Sequence, residues 1–404
     1  MRYHRNSLFT LLFVSSLLFT GCFKWGARAF HRFPETTALV KSYNYDGKII
    51  IVGAGASGLA AAKILEQNNI EYKILEASNR YGGRLEKDTT LSDFPIDLGA
   101  EWIHNQPAIL NRLIGKSGDS TNEELIPYRL ENAYNWDGSN YEKVDKKDLD
   151  NQFDFFPEYK FKKYTWFDYV NDNLASSVKQ NIYYDSPVSE INYADDEVVV
   201  TTSGGQVYTA DKLLLTVSIG VLKSNMIKFI PELDEKKKKA INRVDFLPGF
   251  KLIMKFSEKF YPDAINIKTQ EGEHGYYDMA FKKESDNYIL ALLSTGSDPY
   301  DYFGVDTEAE IVSSALSELD EIFDGRASNL YSSEYIIRDW GSKEFILGTW
   351  TNAPLNRSFN LNALNESLDG KVYFSGEIND IHRQMGVPGA ILSGYVAVDK
   401  LLLN

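Results

Sequence analysis

Three glycines and one glutamate carry the first chemical signal in the chain. In IIIVGAGASGLAAAKIL, which begins at Ile49, four apolar residues run into Gly53, Gly55 and Gly58 and then into an alanine-rich segment. A buried strand over Ile49–Val52 that turns into a helix near Ser57 would aim free backbone N–H groups and the positive end of a helix dipole at one spot. That spot suits a pyrophosphate: Gly53 permits the tight turn, Gly55 lets the phosphate approach the chain, and Gly58 lets the helix pack closely on the strand. A second strand, in EYKILE, ends at Glu76. This is roughly the twenty residues downstream at which a carboxylate can accept the hydroxyls of an adenosine ribose. An acidic residue there favours a free 2′-OH, so FAD or NAD fits better than NADP; an ordinary glycine-rich turn is the bland alternative. EASNRYGGRL then sets Arg84 after Gly82 and Gly83, and a guanidinium beside a diphosphate is what electrostatics selects.

These groups need a scaffold, and the composition bounds it. A chain of 404 residues with 43% hydrophobic content buries a large core and is too long for one small domain, so two domains are expected. A formal charge of −14 argues against a nucleic-acid partner and favours cationic ligands. The start, MRYHRNSLFTLLFVSSLLFTGC, has Arg2 and Arg5 before an apolar run, which reads as an export signal over residues 1–29. Three processings stay open: a lipoprotein-like box with lipid on Cys22, cleavage after ARA at Ala29, and an uncleaved membrane anchor. Each predicts an extracytoplasmic protein, and two of them attach it to a membrane. Cys22 is the only cysteine, so the mature chain forms no internal disulfide and uses no thiol nucleophile. Residues 30–46 read as a linker. The run DEKKKKAINR reads as a solvated helix face, with a basic binding patch as the alternative.

Beyond Glu76, EASNRYGGRL and PIDLGAEWIH resemble the flavin-containing amine oxidases, the family of polyamine and monoamine oxidases and histone lysine demethylases. The resemblance continues through SPVSEINYADDEVVVTTSGGQVYTADKLLLTVSIGVLKS, which also reads independently as alternating strands with turns at Asp195-Asp196 and Gly204-Gly205. It extends to FLPGFKLIMKFSEKFYPD and to the closing KVYFSGEINDIHRQMGVPGAILSGYVAVDKLL. The fold it implies is α/β: a discontinuous Rossmann-like FAD-binding domain (47–104, 186–245 and 340–404) interleaved with an α+β substrate domain (105–185 and 246–339).

The resemblance also implies residue roles. Gly53, Gly55, Ala56, Ser57, Gly58, Glu76, Ala77, Gly83, Arg84, Gly99, Ala100, Glu101, Trp102, Val188, Gly376, Glu377 and Ala390 would contact FAD. Among them, Val188 meets the adenine through its backbone, and Gly376 and Glu377 meet the ribityl chain and phosphate. A helix beginning near Pro388 would aim its N-terminus at the flavin C2 carbonyl, where negative charge develops on reduction. Thr349 stands where monoamine oxidases carry the cysteine that bonds to flavin, so FAD is expected to bind noncovalently.

For the reaction, Lys251 matches the family lysine that holds a water at flavin N5; its strand alternates so evenly that a surface lysine is the other reading. His104 falls where animal-type polyamine oxidases carry a histidine near the substrate amine, with a structural histidine as the alternative. Trp350 falls on the first of two aromatic walls before the flavin, or else is a core tryptophan. The second wall, usually tyrosine, falls on Gly386. Glu101 and Trp102 occupy positions where amino-acid oxidases usually carry an arginine and a methionine, which points to amines rather than amino acids. The expected function is FAD-dependent oxidation of a polyamine or secondary amine with O2 as final acceptor. Another flavin oxidoreductase on this fold and a flavin-binding protein without turnover remain as alternatives. No metal site is expected.

Overall fold

The computed structural model describes residues 37–118, 121–270, 272–297, 307–352, 357–380 and 386–403. The export segment with Cys22, and residues 30–36 of the linker, lie outside them. Among the described residues two compact units emerge: one from Arg129–Phe155 and Gly249–Ile337, the other from residues 37–128, 156–248 and 338–403.

The larger unit is built on five parallel strands. They are β1 (Ile49–Val52), β2 (Tyr72–Leu75), β3 (Ile182–Tyr183), β4 (Lys212–Leu215) and β5 (Val372–Phe374), in the order β5-β4-β1-β2-β3. Every residue of β1 is buried, as a parallel strand covered on both faces requires. Ile49 and Ile51 join one apolar cluster, and Ile50 and Val52 join another on the opposite face. Helix α1 (Ala56–Gln67) fills the first cluster with Leu59, Ile64, Leu65 and a face of alanines. That smooth face lets α2 (Gly386–Leu403) come close: a Cβ on Gly394 would lie 2.4 Å from the Ser57 carbonyl oxygen. Among the described residues α2 alone is long and apolar enough to cross a membrane. Its Val387, Ile391, Leu392, Tyr395, Val398 and Leu401 are instead buried in the unit's core. The alternating segment forms the antiparallel strands Val188–Asn192, Val198–Thr202 and Val207–Ala210, with turns at the two expected places.

The smaller unit carries a seven-stranded sheet in the order Tyr331–Asp339, Gly249–Phe256, Tyr288–Thr295, Glu273–Asp278, Ala264–Ile267, Ala133–Trp136, Tyr141–Lys143. A helix over Glu308–Phe323, opened by a capping box between Thr307 and Glu310, lays Val312, Ala315 and Leu319 on Phe250, Leu252, Met254 and Phe256 of that sheet.

Three sequence readings differ from the structure. Of residues 105–185, grouped above with the substrate domain, 129–155 alone belong to the smaller unit. The flanking pieces bury Ile109, Leu110, Phe161, Trp166, Tyr169 and Val178 in the cluster that holds α1 and α2, so apolar side chains inside a polar-looking stretch decide where it packs. The second half of the linker is also tied down: Lys41 Nζ and Tyr43 Oη both reach Asp399 Oδ1 of α2 at 2.6 Å. In the helix Glu235–Asn242 the lysine run is not wholly solvated. Lys237 is buried, with Nζ 4.0 Å from the Phe374 ring centroid and donating to the Leu364 carbonyl at 3.1 Å.

Candidate active site

The turn after β1 has the geometry that its glycines imply. Gly53 takes φ +104, a conformation that a side chain rarely adopts. A Cβ on Gly58 would lie 2.1 Å from the Gly53 carbonyl oxygen, whereas one on Gly55 meets no described atom within 4 Å. The first two positions are therefore closed by the protein's own backbone, and Gly55 borders open space. Gly55 also caps α1 with no side-chain hydrogen bond, which leaves the first-turn N–H of Ser57 for an anion, while Ala56 is bridged to the Gly82 segment. This is a cradle a methyl group would partly fill, and it fits a pyrophosphate.

Glu76, at the end of β2, is buried and already oriented. Oε2 accepts from Ala54 N–H at 2.7 Å, and Oε1 accepts from the Ser78 N–H and hydroxyl at 2.9 and 2.7 Å. With two acceptor sites per oxygen, Oε2 keeps one for a ribose hydroxyl. Ala77 follows it in a half-exposed position, and Ser186 N–H donates to the Glu76 carbonyl at 2.9 Å, which brings the strand carrying Val188 to the same edge. A bulge between Val188 and Glu190 interrupts that strand's pairing.

The Gly-Gly-Arg segment crosses the glycine turn. Gly82 N–H donates to the Ala54 carbonyl at 2.8 Å, and a Cβ on Gly83 would lie 3.5 Å from the Gly55 Cα. Arg84 extends to Glu377 Oε2 at 2.7 Å, donates to the Thr349 carbonyl, and stands 5.4 Å from the Phe246 ring centroid. Arg84 and Glu377, expected separately at the diphosphate, are thus one ion pair. Arg80, which the sequence did not single out, donates to the Tyr81, Gly83 and Leu85 carbonyls and pairs with Glu86 at 3.0 Å; Arg338 also pairs with Glu86. This knot holds the segment that carries Arg84. Gly99 packs under it, where a Cβ would lie 1.7 Å from the Arg84 carbonyl oxygen, and Ala100 N–H donates to that oxygen at 3.4 Å.

At the far end of the cradle, Ser57, Ser375 and Ser393 form a buried hydroxyl chain with spacings of 2.5 and 3.0 Å, and Gly376 N–H donates to Ser393 Oγ at 3.2 Å. It links the N-terminus of α1 to the end of β5 and to α2. The helix expected near Pro388 starts at Gly386, with Ala390 half-buried in its second turn. Gly386 takes φ +56, and a Cβ there meets no described atom within 4 Å; Gln384 and Met385 of the same motif lie outside the described residues.

Trp350 is half-buried and accepts from Leu247 N–H at 3.1 Å. Beside it, the Thr349 hydroxyl donates to the Leu247 carbonyl at 2.8 Å, so the residue at the flavin-cysteine position is a hydroxyl held by backbone. Lys251 lies in the smaller unit. It is 2% exposed, so the surface reading fails. Phe250, Leu252, Met254 and Phe256 face the helix, which puts Lys251 on the sheet's opposite face with Ile253.

Residues 101–104 meet a partner strand that the sequence did not reveal. Ile103 and Tyr159 exchange backbone hydrogen bonds of 2.8 and 3.0 Å. Lys160 Nζ lies 2.6 Å from Glu101, 4.5 Å from the Trp102 ring centroid and 4.3 Å from that of Tyr128, with Lys160, Glu101 and Tyr128 buried and Trp102 half-buried. His104 Nδ1 lies 3.1 Å from Glu158 Oε1. Glu101 is thus an internal ion-pair partner.

Comparison with known proteins gives the chain its relatives. The chain is 24% identical over 434 residues to polyamine oxidase 5 of Oryza sativa subsp. japonica, covering 87% of each chain. It is 24% identical to polyamine oxidase 1 of Zea mays, covering 88% of this chain and 90% of that one. Its fold superimposes on cyclohexylamine oxidase from Brevibacterium oxydans IH-35A with a TM-score of 0.71 at 18% identity, over 89% of this chain and 99% of that one. The pattern of flavin-containing amine oxidoreductases matches residues 56–172 and 167–402, and with the glycine cradle, Glu76 and the Arg84–Glu377 pair in place, the chain belongs to that family, with noncovalently bound FAD as its cofactor.

Proposed function

We propose that the protein oxidises a polyamine or another secondary amine at the carbon beside nitrogen. FAD supplies the hydride acceptor at N5 and, with O2, the route for electrons to hydrogen peroxide. In this reading the Gly55 cradle and the first turn of α1 hold the diphosphate, Glu76 holds the ribose, and Arg84 balances the phosphate charge beside Glu377. Lys251, buried on the sheet face opposite the helix, holds a water for the reduced flavin. Trp350 offers an aromatic face on which an alkylammonium is oriented, worth about 0.5–2 kcal/mol. His104 stands where the amine nitrogen is handled.

The observation that carries the amine reading over an amino-acid reading is the state of the arginines around the glycine turn. Arg84 is paired with Glu377, Arg80 and Arg338 share Glu86, and by the resemblance the position of an amino-acid oxidase's carboxylate-binding arginine is filled by Glu101, itself paired with Lys160. A substrate carboxylate would find no arginine at that position to receive it. The test is anaerobic mixing of the FAD-loaded protein with spermine, spermidine, an N-alkylamine, cyclohexylamine and a set of amino acids while the flavin absorbance is followed. Bleaching by polyamines or secondary amines is expected. Bleaching by amino acids alone, or by none of the panel, overturns the proposal.

A further inference from the structure

A histidine can serve as base or acid only after its tautomer is settled, and the neighbour of one ring nitrogen settles it. Two backbone hydrogen bonds between Ile103 and Tyr159 lock residues 101–104 against 158–160. In that antiparallel register His104 lies across from Glu158, and Glu101 and Trp102 lie around Lys160. His104 Nδ1 is 3.1 Å from Glu158 Oε1, and among the described residues this is the one hydrogen bond of the ring. The carboxylate is the more enclosed of the two, 14% exposed against 31% for the imidazole. The contact engages Nδ1, and Nε2 is the ring nitrogen outside it.

We propose that Glu158 is a positioning residue: by accepting the Nδ1–H of His104 it fixes the neutral imidazole with Nε2 as an acceptor, and Nε2 then takes a proton from the substrate ammonium. The proposal rests on the amine-oxidation reading above. Hydride can leave the carbon beside nitrogen only if a nitrogen lone pair is available to form the C=N bond, and an ammonium has none. In the step an N–H bond of the ammonium breaks and its electron pair stays on nitrogen, while the Nε2 lone pair forms the new N–H bond. The imidazolium that results carries its charge beside the Glu158 carboxylate, at hydrogen-bond distance. The neighbouring Lys160–Glu101 pair gives Lys160 a carboxylate of its own, so Glu158 is not its only available anion.

The test begins with the side-chain ¹⁵N resonances of His104 in the FAD-loaded enzyme without substrate, assigned by their loss in His104→Gln. The expected wild-type state is protonated Nδ1 and unprotonated Nε2. Glu158→Gln keeps the shape of the site but can offer an amide N–H to Nδ1, and is expected to shift the ring toward the Nε2–H tautomer; Glu158→Ala is expected to release the preference. Both variants should lower kcat/KM for the best amine tenfold or more with FAD affinity unchanged, and added acetate should restore part of the loss in Glu158→Ala. A wild-type ring protonated at Nε2, or kcat/KM unchanged in both variants, overturns the proposal. If no amine reduces the flavin, that failure belongs to the amine reading, and the wild-type tautomer still decides whether Glu158 holds His104 as stated.

Discussion

Gly55 and Gly58, three residues apart, should fail in opposite ways when each gains a methyl group. At Gly58 the new Cβ would sit 2.1 Å from the Gly53 carbonyl oxygen and 3.1 Å from Thr216 Oγ1. A contact to backbone at that distance forces α1 away from β1, and overpacking of this kind costs about 1–3 kcal/mol. The loss should appear in the apoprotein. At Gly55 the backbone lies at φ −78 and ψ 179, which alanine adopts without strain, and the methyl meets no described atom. Apoprotein stability should then change by no more than about 0.5 kcal/mol. The methyl instead occupies the cradle and displaces a phosphate from the first-turn N–H of Ser57. Loss of one hydrogen bond to a charged group is worth about 1.5–3 kcal/mol, which weakens FAD binding by roughly ten- to a hundredfold. Urea midpoints of flavin-stripped Gly55→Ala and Gly58→Ala, followed by FAD titration monitored by flavin fluorescence, separate the two effects. Wild-type FAD affinity in Gly55→Ala would refute the placement of the diphosphate.

Lys251→Met should leave FAD occupancy intact and slow turnover at least tenfold, about 1.4 kcal/mol of barrier; steady-state rates equal to wild type would remove Lys251 from the reaction. Trp350→Ala should lower kcat/KM, and Gly386→Tyr should narrow the range of accepted amines at a stability cost of about 1–2 kcal/mol, because tyrosine must take φ +56. An unchanged ranking of amines in Gly386→Tyr would show that Gly386 does not line the pocket. Burial pushes the Lys237 amine down to about 8. Between about pH 8 and the ordinary lysine range the unfolded chain binds the extra proton, so stability from this group rises with pH there, by at most about 1.4 kcal/mol per unit. Denaturation midpoints measured from pH 7.5 to 10 should climb in wild type relative to Lys237→Met, and parallel curves would contradict the burial argument.

What the sequence showed of the site was what local spacing can encode. Gly53, Gly55, Gly58 and Glu76 sit within one strand–helix–strand unit, so their separation along the chain sets their separation in space. The antiparallel strands from Val188 to Ala210 were legible for the same reason, since their turns lie beside them in sequence. Glu158 and Lys160 were not legible. They reach His104 and Glu101 from more than fifty residues away, through a single bridge at Ile103 and Tyr159 that leaves no period in the sequence. The serine chain is similar: Ser57, Ser375 and Ser393 come from α1, the end of β5 and α2, and each alone is an ordinary small residue. The face of Lys251 was undecidable because Leu252 and Met254 alternate with Lys251, Ile253 and Lys255, and the period alone does not say which side turns inward; the structure buries both faces at Lys251.

Several ion pairs of the larger unit lie outside its core elements. Arg84, Arg80 and Glu86 sit on connections, Glu377 opens a short 3-10 turn, Arg338 ends the strand Tyr331–Asp339 and Lys160 lies in the short strand Tyr159–Phe161, none of them in β1–β5 or α1. Desolvating such pairs costs about as much as their attraction returns, so they are weak sources of stability. Connections have few ladder hydrogen bonds to fix their shape, however, and a paired charge tolerates few alternative positions for its partner. The sheet and its two helices therefore supply stability through apolar burial, while the ion pairs select one conformation for segments 80–86, 99–104, 338–349 and 376–377. Those are the segments that must present backbone and guanidinium to a rigid cofactor, where a displacement of about 1 Å is enough to lose a hydrogen bond.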